Sequence, residues 1–250
     1  MNLSDCTFHK AKGLFITGTD TGVGKTLIAG GIARLLTEQG MRVGVFKPIA
    51  TGCRNEMGEW VSDDAVFLAM CAGVSEPLTV TTPACYEIPA APLVAARAAK
   101  RPVDYEQIAA MYHYLCRSYD VVLVEGIGGV LTPLDEETTI LDIAAAMGLA
   151  TVVVARSRLG TINHTLLTLR AVRDAGLPLA GVVINGYNAP TADLAEETAG
   201  SVIAELGKTK VLAVVGSDED SSVESLHLGK MVLAGLSSCN WKSLIAPKSS

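Results

Sequence analysis

The sequence predicts an α/β fold in which a mostly parallel sheet is covered by helices on both faces. Short apolar runs rich in β-branched residues recur along the chain, without the alternation typical of a strand with one wet face. Helix-forming stretches lie between most of these runs, and strands that alternate with helices indicate a parallel sheet. The six predicted strands are Leu14–Thr17, Val43–Lys47, Val121–Glu125, Thr151–Ala155, Gly181–Asn185 and Val211–Val215.

The helices between these strands are defined by apolar periodicity and by a glycine at most of their ends. They are predicted at Lys25–Gln39, Asp104–Ser118, Ile140–Met147, Ile162–Ala175 and Thr191–Leu206. Several prolines divide residues 53–102, where we predict an excursion over the active edge with short helices near Asp63–Cys71 and Leu93–Lys100. We expect a single domain over residues 1–236 and a frayed tail over residues 237–250, which are polar.

Composition excludes several classes of protein. The net charge is −6 and no basic run exceeds Lys100-Arg101, so we expect neither nucleic acid nor a membrane as partner. The six cysteines show no CxxC spacing and no histidine cluster, which argues for reduced thiols rather than a zinc or redox site. No secretory signal is evident and the longest apolar stretch, Ile143–Ala155, is too short to span a bilayer, so we expect a cytoplasmic protein.

The most informative motif runs from Gly18 to Thr26, between the first predicted strand and the first predicted helix. Strand, glycine-rich loop and helix in this order form a phosphate cradle, called a P-loop, in which backbone N–H groups and the helix dipole face the phosphates. Lys25 would neutralise the outer phosphates and Thr26 would meet Mg²⁺. The cradle itself would be formed by Thr21, Gly22, Val23 and Gly24. We therefore predict a P-loop NTPase-type sheet, although a linking turn rich in Gly and Thr is the alternative.

Other polar groups follow the predicted strands and should meet the motif at the same sheet edge. Lys47 ends the second strand and Asn185 ends the fifth. Glu125 ends the third strand, where a carboxylate would hold Mg²⁺, and Gly126 and Gly128 follow it. Asp64 could ligate Mg²⁺ too, or it could belong to the capped start of a helix. Their convergence predicts one site.

Five motifs in this order resemble those of the dethiobiotin synthetase family. They are Gly18–Thr26, Phe46-Lys47-Pro48-Ile49-Ala50-Thr51-Gly52, Val124-Glu125-Gly126-Ile127-Gly128-Gly129, Leu159-Gly160-Thr161-Ile162-Asn163-His164 and Gly181-Val182-Val183-Ile184-Asn185. The resemblance implies a homodimeric cyclo-ligase that uses ATP and Mg²⁺ to convert 7,8-diaminononanoate and CO₂ (or bicarbonate) into dethiobiotin.

The same resemblance implies a role for each matched residue. Lys25 and Lys47 would be catalytic, and Thr26, Asp64 and Glu125 would hold Mg²⁺. ATP would be bound by the phosphate loop together with Glu125, Gly126, Gly128 and Asn185, whose amide would recognise adenine. Thr51 would contact the diamine or its carbamate, while Gly160 and Asn163 would reach the substrate carboxylate across the dimer.

Two other functions are compatible with a P-loop. An amidase of the cobyrinate type would need a glutaminase domain, for which the chain has no room after Val215. A nucleotide-switch ATPase of the partition or septum-positioning type would carry an extra lysine early in the loop, where this chain has Thr19-Asp20-Thr21-Gly22. The apolar stretch Leu226–Leu236 keeps the second alternative open, because such switches can bind membranes through a helix.

Overall fold

A computed structural model describes residues 2–245 of the chain. Its strands are β1 (Gly13–Gly18), β2 (Val43–Phe46), β3 (Ile49–Thr51), β4 (Arg54–Glu56), β5 (Glu59–Val61), β6 (Ala84–Tyr86), β7 (Val121–Gly129), β8 (Ala150–Arg156), β9 (Leu179–Tyr187) and β10 (Val211–Gly216). Its α-helices are α1 (Lys25–Glu38), α2 (Asp63–Ala72), α3 (Leu78–Thr81), α4 (Pro92–Ala98), α5 (Tyr105–Ser118), α6 (Ile140–Met147), α7 (Thr161–Asp174), α8 (Leu194–Gly207), α9 (Lys230–Leu236) and α10 (Trp241–Ile245).

The predicted parallel sheet is confirmed. Its strands lie in the order β10-β9-β8-β1-β7-β2, and every neighbouring pair is parallel. All six predicted apolar runs fall in this sheet. Because β1 lies between β8 and β7, the motif that follows it is placed at the middle of the carboxyl edge.

Alternate side chains of each central strand pack on opposite faces of the sheet. In β1, Phe15 joins the core beneath α5, α6, α7 and α8, whereas Leu14 and Ile16 join the core beneath α1, α2, α9 and α10. Both faces are therefore apolar, which explains why the strands are continuous hydrophobic runs in the sequence.

The five longer predicted helices correspond to α1, α5, α6, α7 and α8. The largest difference is at α8, which begins at Leu194 and not at Thr191. Asp193 caps this helix, since its Oδ1 accepts a hydrogen bond from the backbone N–H of Glu196 at 2.9 Å. The preceding residues, Ala189–Thr191, form a separate 3-10 turn.

The segment 53–102 contains more structure than its sequence predicted. Besides the two predicted short helices, observed as α2 and α4, it forms a β4–β5 hairpin, and β6 pairs with β3. Helix α2 packs against α1 so closely that a Cβ atom at Gly30 would lie 2.6 Å from the Phe67 ring. This packing brings Asp64, in the first turn of α2, to the carboxyl edge of the sheet.

The prediction of a frayed tail over residues 237–250 is wrong for the part that the structure describes. Helix α10 buries Trp241 and Ile245, and the Trp241 Nε1–H donates to the Leu236 carbonyl at 2.8 Å. Two large apolar residues spaced four apart anchor the segment, although its overall composition is polar. Residues 246–250 of the predicted tail lie outside the described residues.

Trp241→Phe is expected to lower the free energy of unfolding by about 1–3 kcal/mol, because the Leu236 carbonyl loses its donor and some ring volume is lost. Chemical denaturation followed by circular dichroism measures the change. Lys242→Ala, at an exposed position of the same helix, is the control and should change stability by less than about 0.5 kcal/mol. Equal stability of the Phe variant and the wild type would contradict the observed packing of α10.

Packing in the fold accounts for part of the apolar stretch Leu226–Leu236, whereas Leu226 and Met231 are exposed. Helix α9 begins at Lys230, and its Val232 and Leu236 side chains are buried against Gly31 of α1. Among residues 2–245, the helices are all too short or too polar to cross a membrane.

Candidate active site

The phosphate loop connects β1 to α1, and a hydrogen bond from Asn185 of β9 holds it in place. Gly24 precedes α1 with φ of 91°, a left-handed conformation that favours glycine. A Cβ atom at Gly24 would lie 2.0 Å from the amide nitrogen of Asn185. That amide donates to the Val23 carbonyl at 3.0 Å. The close approach of the Asn185 amide therefore requires glycine at position 24.

Lys25, the first residue of α1, is 7% exposed and points back to the loop. Its Nζ donates to the Asp20 carbonyl at 2.9 Å. Burial lowers the pKa of Lys25 to about 8, since the charged ammonium loses most of its solvation. A phosphate in the cradle would supply the negative charge that a buried ammonium favours.

The Lys47 ammonium lies between two carboxylates. Its Nζ is 2.9 Å from Oε1 of Glu125 and 2.5 Å from Oδ2 of Asp64. Lys47 follows β2 and Glu125 lies in the adjacent β7, while Asp64 comes from α2. Thr26 joins this network, because its Oγ1 donates to the same Glu125 oxygen at 2.8 Å.

These charges are tightly coupled. Burial by itself would lower the pKa of Lys47, but the negative charges of Glu125 and Asp64 outweigh it and raise that pKa. Burial would raise the pKa of Asp64, but the nearby Lys47 charge lowers it. Burial raises the pKa of Glu125 against the pull of Lys47. Lys47 is therefore a permanent cation at neutral pH, and its position depends on both carboxylates.

Thr26, Asp64 and Glu125 fit a magnesium ion. Carboxylate and hydroxyl oxygens are the donors that Mg²⁺ prefers. Oε2 of Glu125 is buried and has no hydrogen-bond partner among the described residues, which is costly for a carboxylate oxygen unless a ligand meets it. Within residues 2–245 no group of three His, Cys, Asp or Glu side chains is arranged for a metal, so such an ion would also need Thr26 and phosphate oxygens.

Asp64 lies in the capped first turn of α2, as one of its two interpretations predicts, and its role as a Mg²⁺ ligand stays a prediction. Ser62 is the capping residue, and its Oγ accepts from the Ala65 N–H at 3.4 Å. The Asp64 side chain instead reaches Lys47, which places it among the charged groups of the site.

One cleft of about 350 Å³ brings most of the predicted site residues together. Those at its wall are Thr21, Gly22, Gly24, Lys25, Thr26, Lys47, Thr51, Asp64, Glu125 and Gly128. The predicted residues that do not line it are Val23, Gly126, Asn185, Gly160 and Asn163. Val23 and Gly126 are buried behind the wall, whereas Gly160 and Asn163 are exposed at the start of α7. Lys25 and Lys47 therefore face one common cavity.

Sequence reasoning missed three apolar residues of this cleft, namely Leu27, Ile127 and Val223. Val223 comes from the segment 217–229 that follows β10. This segment is anchored by Asp218, whose Oδ2 accepts from the Met231 N–H at 3.0 Å. An isolated valine in a polar loop carries no sequence signal for a binding site.

Arg156 at the end of β8 was also missed, and it supports the phosphate loop. Its NH2 group donates to Oδ2 of Asp20 at 3.0 Å and to the Thr21 carbonyl at 3.3 Å. The other oxygen of Asp20 accepts from the Thr21 N–H at 2.7 Å. The sequence did contain a signal for Arg156, because it is a charged residue at the end of a buried strand. The same signal identified Glu125.

Arg156→Gln is expected to raise KM for ATP by roughly 5-fold with kcat little changed, because an exposed ion pair contributes up to about 1 kcal/mol. Steady-state kinetics with varied ATP tests this. Arg170→Gln removes a comparable exposed ion pair, with Asp174 on α7, and should leave KM unchanged. A similar KM for both variants would show that Arg156 does not position the loop.

The fold and the site define a P-loop NTPase. A family model described as an AAA domain matches residues 12–225. The MinC:MinD cell division complex of Aquifex aeolicus superposes with a TM-score of 0.60 at 14% identity, over 96% of this chain and 99% of that chain. The MinD protein of Pyrococcus horikoshii superposes with a TM-score of 0.56 at 17% identity, over 91% of this chain and 93% of that chain. At such identities these similarities show the fold alone.

Sequence comparison identifies one family within the class of P-loop NTPases. The ATP-dependent dethiobiotin synthetase of Thermodesulfovibrio yellowstonii is 40% identical over 210 residues, covering 81% of this chain and 88% of the relative. The enzyme of the same name from Bacillus licheniformis is 40% identical over 86% of this chain and 90% of the relative. That from Bacillus subtilis is 34% identical over 88% of this chain and 94% of the relative. The chain belongs to the dethiobiotin synthetase family, whose members are ATP-dependent ligases.

Proposed function

We propose that the protein makes dethiobiotin from 7,8-diaminononanoate, CO₂ and ATP. The observation that best supports this is the shared cleft of Lys25 and Lys47, beside Thr26, Asp64 and Glu125. Such a reaction has to hold a triphosphate and an N-carboxylated amine next to each other, and both are anions. Two buried lysines in one cavity meet that need in a chain whose net charge is −6.

The proposed reaction has three steps. One amine of the diamine attacks CO₂ and loses a proton, which gives a carbamate. A carbamate oxygen then attacks the γ-phosphorus of ATP, ADP leaves, and a carbamic-phosphoric mixed anhydride forms. The second amine attacks the carbonyl carbon, the ureido ring closes, and phosphate leaves. In each step the new bond forms between atoms of the substrates, so no protein side chain has to bond covalently to a substrate.

The lysines have separate roles in this proposal. Lys25 would stabilise the charge that develops on the transferred phosphoryl group. Lys47 would hold the carbamate beside the γ-phosphate. Its ammonium donates to both Glu125 and Asp64, and its third N–H would be left for a substrate. Thr26, Asp64 and Glu125 would hold Mg²⁺, which neutralises phosphate charge when bound.

Other residues would bind the ends of the ligands. The Asn185 amide donates to Val23, and its carbonyl oxygen and second N–H would be left for the adenine edge. In β7, Gly128 lines the cleft and would let the nucleotide approach the backbone closely, whereas Gly126 is buried against core side chains, which contradicts its predicted contact with the nucleotide. Thr51 lines the cleft and would contact the diamine or its carbamate.

The proposal includes a homodimer in which Gly160 and Asn163 reach the partner's substrate. Both residues are exposed and lie outside the cleft of their own chain. Leu159, which lies just before α7, and Leu167, one helical turn after Asn163, are 85% and 61% exposed. Large apolar side chains around a polar residue are typical of a surface that a partner covers.

Mixing two inactive variants tests the shared site. Lys47→Ala and Asn163→Ala should each be inactive, whereas a mixture that exchanges subunits should recover up to about a quarter of wild-type activity, because each heterodimer then holds one intact site. Activity after mixing and re-equilibration is the measurement. Mixing either variant with itself is the control. If activity does not recover although heterodimers form, Asn163 acts within its own chain or not at all.

The reaction itself is tested by incubating the protein with ATP, Mg²⁺, ¹³C-bicarbonate and the diamine. The expected product is dethiobiotin carrying one heavy carbon in its ureido group, seen by mass spectrometry, with ADP formed in equal amount. Omission of the diamine should abolish ADP formation. ATP hydrolysis that proceeds without the diamine, with no labelled product, would reject the proposal.

A further inference from the structure

Two cysteines lie in contact next to the candidate active site. Cys53 and Cys85 are 3% and 7% exposed and form a small apolar cluster with Ala50, separate from the two main cores. The strand pairing explains this, because Ala50 of β3 is opposite Cys85 of β6 and the Cys53 N–H donates to the Tyr86 carbonyl at 2.9 Å. Because 31 residues separate Cys53 from Cys85 in the sequence, no short cysteine motif could reveal this pair.

Cys53 is the more acidic thiol of the pair. The neighbouring Cys85 thiol outweighs burial and lowers the pKa of Cys53, and the positive charge of Lys47 adds to this. The pKa of each of the other five cysteines, all within the described residues, is raised, mainly by burial except at Cys85, where the neighbouring Cys53 contributes most. The thiolate is the form that reacts with oxidants.

We propose that Cys53 and Cys85 form a reversible disulfide when the protein meets hydrogen peroxide, and that this disulfide inactivates the enzyme. The Cys53 thiolate attacks one peroxide oxygen, which gives a sulfenic acid and hydroxide. The Cys85 thiol then displaces hydroxide from the sulfenic sulfur, and the S–S bond forms. The two sulfurs lose two electrons in total, the peroxide is reduced to two waters after protonation, and a dithiol reductant reverses the reaction.

A short β-hairpin covers the two thiols. Trp60 packs against the cluster and belongs to β5, in the β4–β5 hairpin that begins directly after Cys53. Each strand of this hairpin has three residues, and its turn residue Met57 is fully exposed. An isolated hairpin of this length is only marginally stable, so its local opening gives peroxide access.

A disulfide at this place would alter the cleft. Thr51 lines the cleft and is separated from Cys53 by Gly52 alone, which has φ of 74° and packs against Pro89. A disulfide brings the two sulfurs from contact distance to about 2.05 Å, which pulls this turn toward β6. A displacement of about 1 Å near reacting groups can cost about 100-fold in rate.

The test uses the full-length protein, treated with hydrogen peroxide, alkylated and mapped by mass spectrometry. We expect a Cys53–Cys85 disulfide, at least about a 10-fold loss of turnover, and recovery of turnover with dithiothreitol. The mapping does not depend on which reaction the enzyme catalyses, so it tests this inference separately from the proposed function.

Cys85→Ser is the informative variant and Cys71→Ser is its matched control, since Cys71 is a buried thiol outside the cluster. Cys85→Ser should lose the disulfide, and without a resolving thiol its Cys53 should oxidise further to the sulfinic acid, which dithiothreitol does not reduce, whereas Cys71→Ser should behave like the wild type. If Cys85→Ser does not fold, the mapping of the wild type decides alone. A disulfide between other cysteines, or equal reversible inactivation of both variants, would overturn the inference.

Discussion

Lys47→Ala is expected to reduce turnover by at least about 100-fold while ATP affinity changes little. In the proposed reaction the Lys47 ammonium holds a carbamate at the point of phosphoryl transfer, where Lys25 is the one other lysine among residues 2–245 that lines the cleft. ATP would be bound mainly by the phosphate loop, whereas the Lys47 ammonium donates to Asp64 and Glu125. Turnover at saturating substrates and nucleotide titration measure the two quantities separately.

The same substitution affects stability, and the controls have to separate the two effects. Removing Lys47 leaves the buried Glu125 carboxylate without its cation, which costs about 3–5 kcal/mol for pairs of this kind. Lys47→Met keeps the length of the side chain and should show the same loss of turnover with better packing. Lys230→Ala, at an exposed lysine, should change neither quantity. Near-normal turnover of a folded Lys47 variant would exclude the assigned role.

Glu125→Gln is expected to lower turnover by about 100-fold or more and to raise the Mg²⁺ concentration needed for half-maximal activity. The substitution keeps the side-chain volume but removes the charge from a group whose Oε1 already accepts from Thr26 and Lys47. An amide nitrogen in place of either oxygen would also face a donor or the ion. Turnover measured across a Mg²⁺ series tests both expectations.

The matched control for this prediction is Glu136→Gln, which neutralises an exposed carboxylate paired with Arg97. It should retain wild-type turnover at every Mg²⁺ concentration, because surface ion pairs contribute little. If Glu125→Gln shows the same Mg²⁺ dependence as Glu136→Gln, then Glu125 does not hold the ion.

Much of the fold was predictable because local and long-range preferences agree. Each central strand is buried on both faces, so it appears in the sequence as an uninterrupted apolar run, and the helices carry their own end signals, such as Asp104 before α5 and Gly148 after α6. The phosphate loop and Glu125 were identifiable because both place polar residues at the end of a buried strand, where such residues have few structural explanations.

The other features of the fold and the site could not be predicted from short stretches of the sequence. For residues 237–245 the frayed-tail prediction failed because Trp241 and Ile245 are buried in a core shared with α1 and β1, which are far away in the sequence. The sequence left Asp64 open between a cap and a site residue, and only the packing of α2 on α1 carries it to Lys47. Arg156, Val223 and the contact between Cys53 and Cys85 likewise result from segments far apart in the chain.

The sequence by itself therefore determined the sheet, the order of its strands along the chain and the family, and it supplied the candidate site residues. Tertiary structure alone decided which charges meet, namely that Lys47 lies between Asp64 and Glu125 and that Arg156 supports Asp20. The physical reason is that the two kinds of interaction act over different distances along the chain. Periodicity, caps and glycine loops act over a few residues, whereas an ion pair forms over a few ångströms between side chains whose positions are set by the whole packed fold.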